Sequence, residues 1–117
     1  MEQVLVKQRD IILVPFPFSD QSGHKIRPAL VLSNDVFNGG RDVITCGITG
    51  NVKPSQYSII IDQKNIDTGT LHDRSAIKVE SVAKIDRTLI IKQIARIDTD
   101  TFSRAVHILQ EIVKAKT

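Results

Sequence analysis

Two short runs of aliphatic residues, separated by a polar loop, open the chain and constrain its fold more than any other feature. The runs are residues 11–14 and 29–32, and the loop 19–25 between them has no apolar period. Because proline disfavours a helical conformation for the residue before it, Arg27 in Arg27-Pro28 is expected to be extended at the mouth of the second strand. A guanidinium held there, beside a polar loop, suits recognition of a phosphate or a carboxylate.

Further segments with strand-like patterns follow, and turn signals separate them. Pro15 and Pro17 predict an irregular or edge segment directly after the first strand. Gly47 lies inside a strand-like run, where glycine often marks a bulge or a close approach of backbones. We expect strands over about 10–14, 29–33, 43–49, 57–61, 75–85 with a bulge after 80, and 89–97, a turn region at 34–42 and a loop at 62–73.

The C-terminal segment changes to a helical period, and Asp98 or Thr99 can cap its start. Its apolar positions are Phe102, Ala105, Val106, Leu109, Ile112 and Val113. One terminal helix on many short strands predicts an α+β fold dominated by β-structure, as a small barrel or a strongly coiled sheet. A chain of 117 residues forms one domain, residues 1–117.

Composition sets limits on partners and location. The formal charge of +3 permits an anionic partner such as RNA but does not require one. Cys46 is the only cysteine, so no intrachain disulfide can form. The chain shows no signal peptide and no run near the roughly 20 apolar residues of a membrane span. We therefore predict a cytoplasmic protein with no membrane association.

The chemistry-bearing residues exclude several enzyme classes. His24, His72 and His107 are scattered, and no ligands stand at metal-binding spacing. A phosphate-binding glycine loop and a Ser-His-Asp order are also missing, so we predict no metal and no cofactor. If the chain is an enzyme, metal-free acid–base catalysis on RNA is the plausible class, because RNA carries its own nucleophile, the 2′-hydroxyl.

The opening stretch resembles the MazF/PemK family of toxin endoribonucleases. Members typically have Arg-Gly-Asp before an apolar run, then a glycine-containing loop, then Arg-Pro and a second apolar run. The matching pieces are Asp10 with the run after it, Gly23, Arg27-Pro28 and the run ending at Asn34, followed by similar motifs at 46–49, 73–80, 84–86 and 89–109. One departure is Arg9, which stands where the family has glycine.

The resemblance implies an SH3-like, plasmid-toxin barrel with a C-terminal helix, which is usually a homodimer. It implies a sequence-selective, metal-independent endoribonuclease that cuts single-stranded RNA and leaves a 2′,3′-cyclic phosphate and a 5′-hydroxyl. It also implies a cognate antitoxin, whose acidic, disordered tail competes with RNA for a basic groove, and joint DNA binding with that antitoxin.

The same resemblance assigns catalytic roles. Arg27 would stabilise the phosphorane and protonate the leaving group, and Thr49 would donate its hydroxyl to the scissile phosphate. Thr45 lies on the same strand and face, but the Ile-Thr pair before the loop selects Thr49. Otherwise Arg27 is a surface ion-pair residue and Thr49 a residue chosen for strand propensity. His24 is a further candidate for an acid or a base, and otherwise it is a solvated loop histidine. Lys78 and Glu80 are candidates for a phosphate contact and a weak base, and otherwise they form an outward ion pair.

Six more residues are predicted to contact RNA. Lys25 and Lys53 would hold phosphates, although both are as well explained as ordinary surface lysines. Asn51 would read a base edge by analogy with a glutamine of the family. The full predicted set is Ser19, Asp20, Lys25, Asn51, Lys53 and Ser75.

Two other functions stay open at this point. A non-catalytic module on the same fold would bind RNA or a protein without cutting, and Arg9 in place of glycine leaves room for a degenerate site. A peptide-binding SH3-like domain is the weaker reading, because its groove needs aromatic residues and the aromatic content is 4%.

Overall fold

The computed structural model of the chain describes residues 5–17 and 24–116, with the side chains of Pro17 and His24 excepted. Ser19 and Asp20, two of the predicted RNA contacts, lie outside the described residues. The elements in order are β1 (Asp10–Pro17), β2 (His24–Val31), α1 (Asp35–Asn38), β3 (Asp42–Thr49), β4 (Ser58–Ile61), β5 (Ile66–Gly69), β6 (Ser75–Asp86), β7 (Lys92–Ile97) and α2 (Thr99–Val113).

The strands form one antiparallel sheet of seven strands in the order β4-β6-β3-β2-β1-β7-β5. The sheet curls into a half-barrel, and α2 follows its last strand as the C-terminal helix. The predicted α+β class, dominated by β-structure in an SH3-like barrel with a C-terminal helix, is therefore confirmed.

Both faces of the sheet bury apolar side chains, which follows from the alternation of side chains along a strand. The helix face packs against α2 and carries Ile11, Leu30, Cys46, Ile48, Ile59, Ile61, Ile77, Val79, Ala95 and Ile97. The opposite face carries Ile12, Val14, Phe16, Ala29, Val31, Val43, Ile85 and Ile90. Each fully buried aliphatic side chain contributes about 1.5–3 kcal/mol, so the two clusters supply most of the stabilisation.

Strand β1 runs through both of its prolines, past the predicted end at Val14. Pro15 pairs with Ile26 and Pro17 with His24, so β2 also begins earlier than predicted. The Leu13 carbonyl accepts a hydrogen bond from Ile91 N–H, which directs the backbone groups of alternate residues 13, 15 and 17 towards β7. Because the described pairing of β1 with β7 ends at Leu13, the prolines face an edge where no donor is needed.

Two segments that were predicted to be a turn and a loop contain regular secondary structure. The predicted loop 62–73 holds β5, which ends at Gly69 with φ of +85°. The predicted turn at 34–42 holds the short helix α1, whose start is capped by the Asn34 side chain accepting from Phe37 N–H. The last strand begins at Lys92, later than residue 89, because Arg87–Leu89 forms a 3₁₀ turn capped by Asp86.

The bulge predicted in the segment 75–85 is present in β6. Gly47 lies opposite Lys78 and Cys46 opposite Val82, so β6 carries extra residues at this point of its pairing with β3. A Cβ at Gly47 would lie 3.3 Å from the ring of Phe16, so the glycine allows that ring to pack against β3. Phe16 is therefore a core residue of the opposite face.

Helix α2 begins where the sequence predicts. Asp98 Oδ1 accepts a hydrogen bond from Thr101 N–H over 2.7 Å and caps the helix. Ala105 is fully buried, and Phe102, Ile108 and Leu109 pack against the helix face of the sheet. Within residues 5–17 and 24–116, no helix has the length and apolar character needed to span a membrane.

Candidate nucleic-acid site

Arg27 and Thr49 occupy corresponding positions on neighbouring strands. The last described pair of β2 with β3 is Ala29 opposite Gly47. Arg27 comes two residues before Ala29 on β2, and Thr49 comes two residues after Gly47 on β3. Because side chains alternate along a strand, both side chains are assigned to the sheet face opposite the helix face. Arg27 is exposed and Thr49 partly exposed, so both are accessible to a ligand at this end of the sheet.

Thr49 lines a small cleft of about 190 Å³, which we call the Thr49 cleft. The end of β3, the loop before β4 and residues of β4 and β6 contribute to its lining. Ala76, the buried residue paired with Thr49 across the strands, is one of these lining residues. The complete lining is Thr49, Asn51, Lys53, Pro54, Ser55, Ser58, Ala76, Lys78 and Glu80.

The hydroxyl of Thr49 has a fixed role within the loop that leaves β3. Thr49 Oγ1 accepts a hydrogen bond from the backbone N–H of Asn51 over 3.1 Å. A hydroxyl has one proton and two lone pairs, so an oxygen that accepts from the backbone still has its proton to donate. The arrangement suits donation into the cleft.

Lys78 and Glu80 form an ion pair inside the same cleft. Lys78 Nζ lies 3.6 Å from Glu80 Oε2, and the side chains are 47% and 40% exposed. An ion pair this exposed contributes only about 0–1 kcal/mol, so a phosphate can replace Glu80 as the partner of Lys78 at little cost. The carboxylate would then be available to accept a proton.

The remaining predicted contacts in the described chain divide into two groups. Asn51 and Lys53 line the Thr49 cleft, and both are exposed. Lys25 is exposed on β2 two residues before Arg27, so its side chain points to the same face as the guanidinium. These three residues therefore surround the ends of β2 and β3 with two positive charges and one amide.

Ser75 lies on the other side of the sheet. It pairs with Ile61, a residue of the helix face, and its Oγ donates to the Asp73 carbonyl over 2.9 Å. Ser75 lines a separate cavity of about 610 Å³ together with Leu13, Pro28, His72 and Lys92 among others. The structure thus does not bring Ser75 together with Thr49, Lys78 and Glu80, because residues 75 and 76 point to opposite faces.

His24 begins β2, and its backbone pairs with Pro17. Its predicted role depends on its side chain, which is outside the described part of the chain, as are Ser19 and Asp20. In the sequence, Ser19 and Asp20 precede β2, and His24 is its first residue. Their roles stay predictions.

Four residues that line the cleft were missed by the sequence prediction: Pro54, Ser55, Ser58 and Ala76. Ser58 pairs with Lys78 across β4 and β6, and Ala76 pairs with Thr49 across β6 and β3. Both pairs are set by strand register, which a single sequence does not reveal. The alternation in residues 75–80 does place Ala76 and Lys78 on one face, and this was the available signal.

Arg9, the departure from the family pattern, has a structural explanation. Its φ of +80° lies in the left-handed region where glycine is normally found. Its guanidinium donates from Nη1 to the Ile97 carbonyl over 2.8 Å and to Asp67 Oδ2 over 3.1 Å. These bonds hold β1 to β7 and β5, and Arg9 is not among the residues that line the Thr49 cleft.

Neither a nucleophilic thiol nor a metal site is formed by the described side chains. Burial, together with the smaller effect of the Glu80 charge, raises the pKa of the Cys46 thiol to about 12. The thiol is therefore neutral at physiological pH. Across residues 5–17 and 24–116, no three or more His, Cys, Asp or Glu side chains are grouped in a way that could hold a metal ion.

Comparison with known protein families gives one match that covers most of the chain. Residues 7–113 match the family described as PemK-like, MazF-like toxin of type II toxin-antitoxin system. Comparison with curated proteins gives no match.

Solved structures with the same fold share little sequence with this chain. MazF from Deinococcus radiodurans has a TM-score of 0.76 at 17% identity, covering 95% of this chain and 98% of its own. An endoribonuclease in complex with its cognate antitoxin, from a mycobacterial species, has a TM-score of 0.75 at 11% identity, covering 96% and 98%. Mycobacterium tuberculosis toxin MazF-mt6 has a TM-score of 0.73 at 17% identity, covering 93% and 100%.

Proposed function

The chain belongs to the PemK-like, MazF-like family of type II toxin–antitoxin toxins, and on that premise we propose that it is an endoribonuclease that cuts single-stranded RNA. The observation that carries the proposal is the Thr49 cleft, where a hydroxyl, an ammonium and a carboxylate line one small space. Arg27 does not line this cleft, but it is exposed on the neighbouring strand β2, and the alternation of side chains assigns it to the same face as Thr49.

In the proposed reaction the 2′-hydroxyl oxygen of the RNA attacks the adjacent phosphorus atom. Glu80 accepts the 2′-hydroxyl proton, since it is the carboxylate that lines the cleft. Arg27, Thr49 and Lys78 donate hydrogen bonds to the phosphate oxygens as negative charge develops on the phosphorane. The bond from phosphorus to the 5′-oxygen then breaks, which leaves a 2′,3′-cyclic phosphate on one fragment.

The leaving 5′-oxygen needs a proton to become a hydroxyl. Arg27 is a poor acid because a guanidinium keeps its proton up to a pH above about 12, so charge stabilisation is its main task. His24 is our candidate donor, because an imidazole exchanges protons near neutral pH. No step of this scheme uses a metal ion.

We propose single-stranded RNA as the substrate because the cleft is small and its end of the sheet is basic. A space of about 190 Å³ is too small to enclose a base pair, and it suits the phosphate group and an adjoining part of one unstacked nucleotide. We also propose that the active form is a cytoplasmic homodimer restrained by a cognate antitoxin with an acidic, disordered tail. One solved relative is described as an endoribonuclease in complex with its cognate antitoxin.

The test is cleavage of a mixed-sequence single-stranded RNA in excess EDTA by the wild type and by Arg27→Ala. The wild type should cut and should leave 5′-hydroxyl ends, whereas Arg27→Ala should lose at least about a hundredfold in rate. Arg104→Ala, an exposed arginine on α2, is the matched control and should cut normally.

Each alternative gives a different result. Equal cutting by wild type and Arg27→Ala would refute the role of Arg27, and loss of cutting on chelation would refute the metal-free mechanism. If the wild type binds RNA but cuts none of many RNA substrates, the result would favour the non-catalytic binding module.

A further inference from the structure

We propose that Phe16 and Gly47 are positioning residues: the ring of Phe16, packed on the backbone of Gly47, sets the direction of Arg27 relative to the Thr49 cleft. The inference deepens the proposed function and rests on it for the role of Arg27 in RNA cleavage. The packing contact itself is a property of the fold, so it can also be tested without RNA.

Arg27 lies on a part of the sheet that has two strands. The described pairing of β1 with β7 ends at Leu13, and that of β2 with β3 ends at Ala29. Beyond those points, residues 14–17 of β1 pair with residues 24–27 of β2, and we call these residues the ribbon. A two-stranded ribbon twists strongly and is marginally stable by itself, so its direction depends on what its side chains pack against.

Phe16 is the buried side chain of the ribbon that lies furthest from the rest of the sheet. Its exposed fraction is 2%, and Val14 is the other buried side chain among the described ribbon residues. Phe16 pairs with Lys25, and Arg27 is the next residue of β2 on the same face. Such diagonal neighbours are about 7–8 Å apart, which is within reach of an aromatic ring and a long side chain. The position of the ring therefore affects the direction of the guanidinium.

Gly47 supplies the surface on which the ring packs. A Cβ at this position would lie 3.3 Å from both Cε1 and Cζ of Phe16, and 3.5 Å from Cβ of Ser81. The φ of Gly47 is not in the left-handed region, so the conformation of β3 does not require a glycine there. Glycine weakens a strand because it has no side chain to pack and more conformational freedom to lose. The close approach of the ring is therefore the physical reason for glycine at this position.

The contact joins the ribbon to both strands that carry the reacting groups of the Thr49 cleft. Thr49 comes two residues after Gly47 on β3 and is on the same face. Ser81, which also lies over Gly47, directly follows Glu80 on β6. Displacement of the ring would therefore change the direction of Arg27 relative to Thr49 and Glu80. Catalytic groups must be held close to their productive geometry, so a small displacement of the guanidinium is sufficient to slow the reaction.

The first test measures cleavage rates for two single variants and their combination. Gly47→Ala adds a methyl group that pushes the ring away from β3, and Phe16→Leu removes the ring carbons nearest to the glycine. Each should lower kcat about tenfold and change KM less than about threefold. The double variant should recover to within about threefold of the wild-type rate, because the added methyl group fills the space that the ring leaves.

Two comparisons separate positioning from a general loss of structure. In an Arg27→Ala background, Gly47→Ala should cause no further loss of rate, because the group that it displaces is already absent. Val43→Ala changes a buried residue of the same cluster at the other end of β3, and it should lower the stability without slowing cleavage. The proposal is overturned if Gly47→Ala slows both backgrounds equally, if it does not slow the wild type, or if Val43→Ala slows cleavage as much.

A second test follows the Arg27 guanidinium without RNA. In the full chain labelled with ¹⁵N, the NMR signal of Arg27 Nε–H should shift in Gly47→Ala and in Phe16→Leu, because the aromatic ring has moved or is missing. The Nε–H signal of Arg104, an exposed residue of α2, should stay in place. An Arg27 signal that is unchanged in both variants would overturn the proposal whatever the cleavage rates are.

Failure of the proposed function gives a different combination of results. Equal cutting by the wild type and Arg27→Ala, with the Arg27 signal shifted as expected, would support the packing contact and refute the role of Arg27 in cleavage.

Discussion

The backbone N–H of Asn51 donates a hydrogen bond to Thr49 Oγ1 over 3.1 Å. In this bond the hydroxyl oxygen of Thr49 is the acceptor. The hydroxyl proton is therefore still available for donation into the cleft. The geometry distinguishes Thr49 from Thr45, whose hydroxyl lies in the core and donates to the Ala83 carbonyl over 3.0 Å.

Thr49→Val should therefore reduce RNA cleavage by about a hundredfold or more, the usual cost of removing one donor to a developing oxyanion. Thr49→Ser should keep most of the activity, because it keeps the hydroxyl. Single-turnover cleavage rates measure both effects. Thr45→Val is the matched control and should lower the free energy of unfolding by about 1 kcal/mol without changing the cleavage rate. Unchanged cleavage in Thr49→Val would contradict the assigned role.

Glu80→Gln should lower the cleavage rate by about a hundredfold to ten-thousandfold, the range for loss of a general base. The substitution keeps the shape of the side chain and breaks an ion pair that is 3.6 Å long and largely exposed. The free energy of unfolding should therefore change by less than about 1 kcal/mol. Glu111→Gln on α2 serves as the control. Full activity of Glu80→Gln would move the base to another residue, and His24→Gln would then be the next variant to measure.

Most of the fold could be predicted from the sequence, because clear turn signals separate the strands and the apolar residues of the C-terminal segment recur at helical spacing. The elements that were predicted wrongly have local causes. The prolines of β1 stand at an edge, where a missing N–H costs nothing, and β5 is a short strand around a glycine. Thr49, Lys78 and Glu80 were predicted from motifs, but their meeting with Ser58 and Ala76 depends on strand register. Ser75 was assigned to the site although it faces the other side of the sheet.

Gly69→Ala should be among the most destabilising substitutions in the chain. The residue has φ of +85°, and a Cβ there would lie 2.4 Å from the Ile94 carbonyl oxygen, so β5 would have to separate from β7. The left-handed backbone alone costs about 1–2 kcal/mol for a residue with a Cβ, and the clash adds to this cost. Urea denaturation measures the loss. Gly50→Ala is the control, since a Cβ there meets nothing within 4 Å, and similar losses in both variants would refute the argument.

Arg9 allows the backbone and the side-chain contributions to be separated. Arg9→Ala removes the bonds to Ile97 and Asp67 but keeps a Cβ at φ of +80°, whereas Arg9→Gly removes the same bonds and relieves the backbone. Arg9→Ala should therefore be less stable than Arg9→Gly by about 1 kcal/mol. Both variants should cut RNA at the wild-type rate. A loss of cleavage in both, at unchanged stability, would show that Arg9 belongs to the active site.

Asp86 should make the stability of the chain depend on pH in the acid range. Its carboxylate accepts from Thr88 N–H over 2.9 Å and from the Thr88 hydroxyl over 2.8 Å, and it pairs with Arg41 Nε at 3.1 Å. These contacts, with the backbone bond to Thr88 first, lower the pKa of Asp86 from 3.8 to about 2.

Because the pKa is lower in the folded state than in the unfolded chain, the stabilisation is complete above about pH 4 and is lost as the pH falls towards 2. Asp86→Asn should therefore lower the urea midpoint at pH 7, and the gap to the wild type should narrow between pH 4 and pH 2 as the wild-type carboxylate takes up its proton. Thr88→Val, which keeps the backbone donor and removes the hydroxyl, should give a smaller loss at pH 7 that narrows over the same range. A gap of constant size from pH 7 to pH 2 would show that the aspartate stabilises the 3₁₀ turn through its shape and not through its charge.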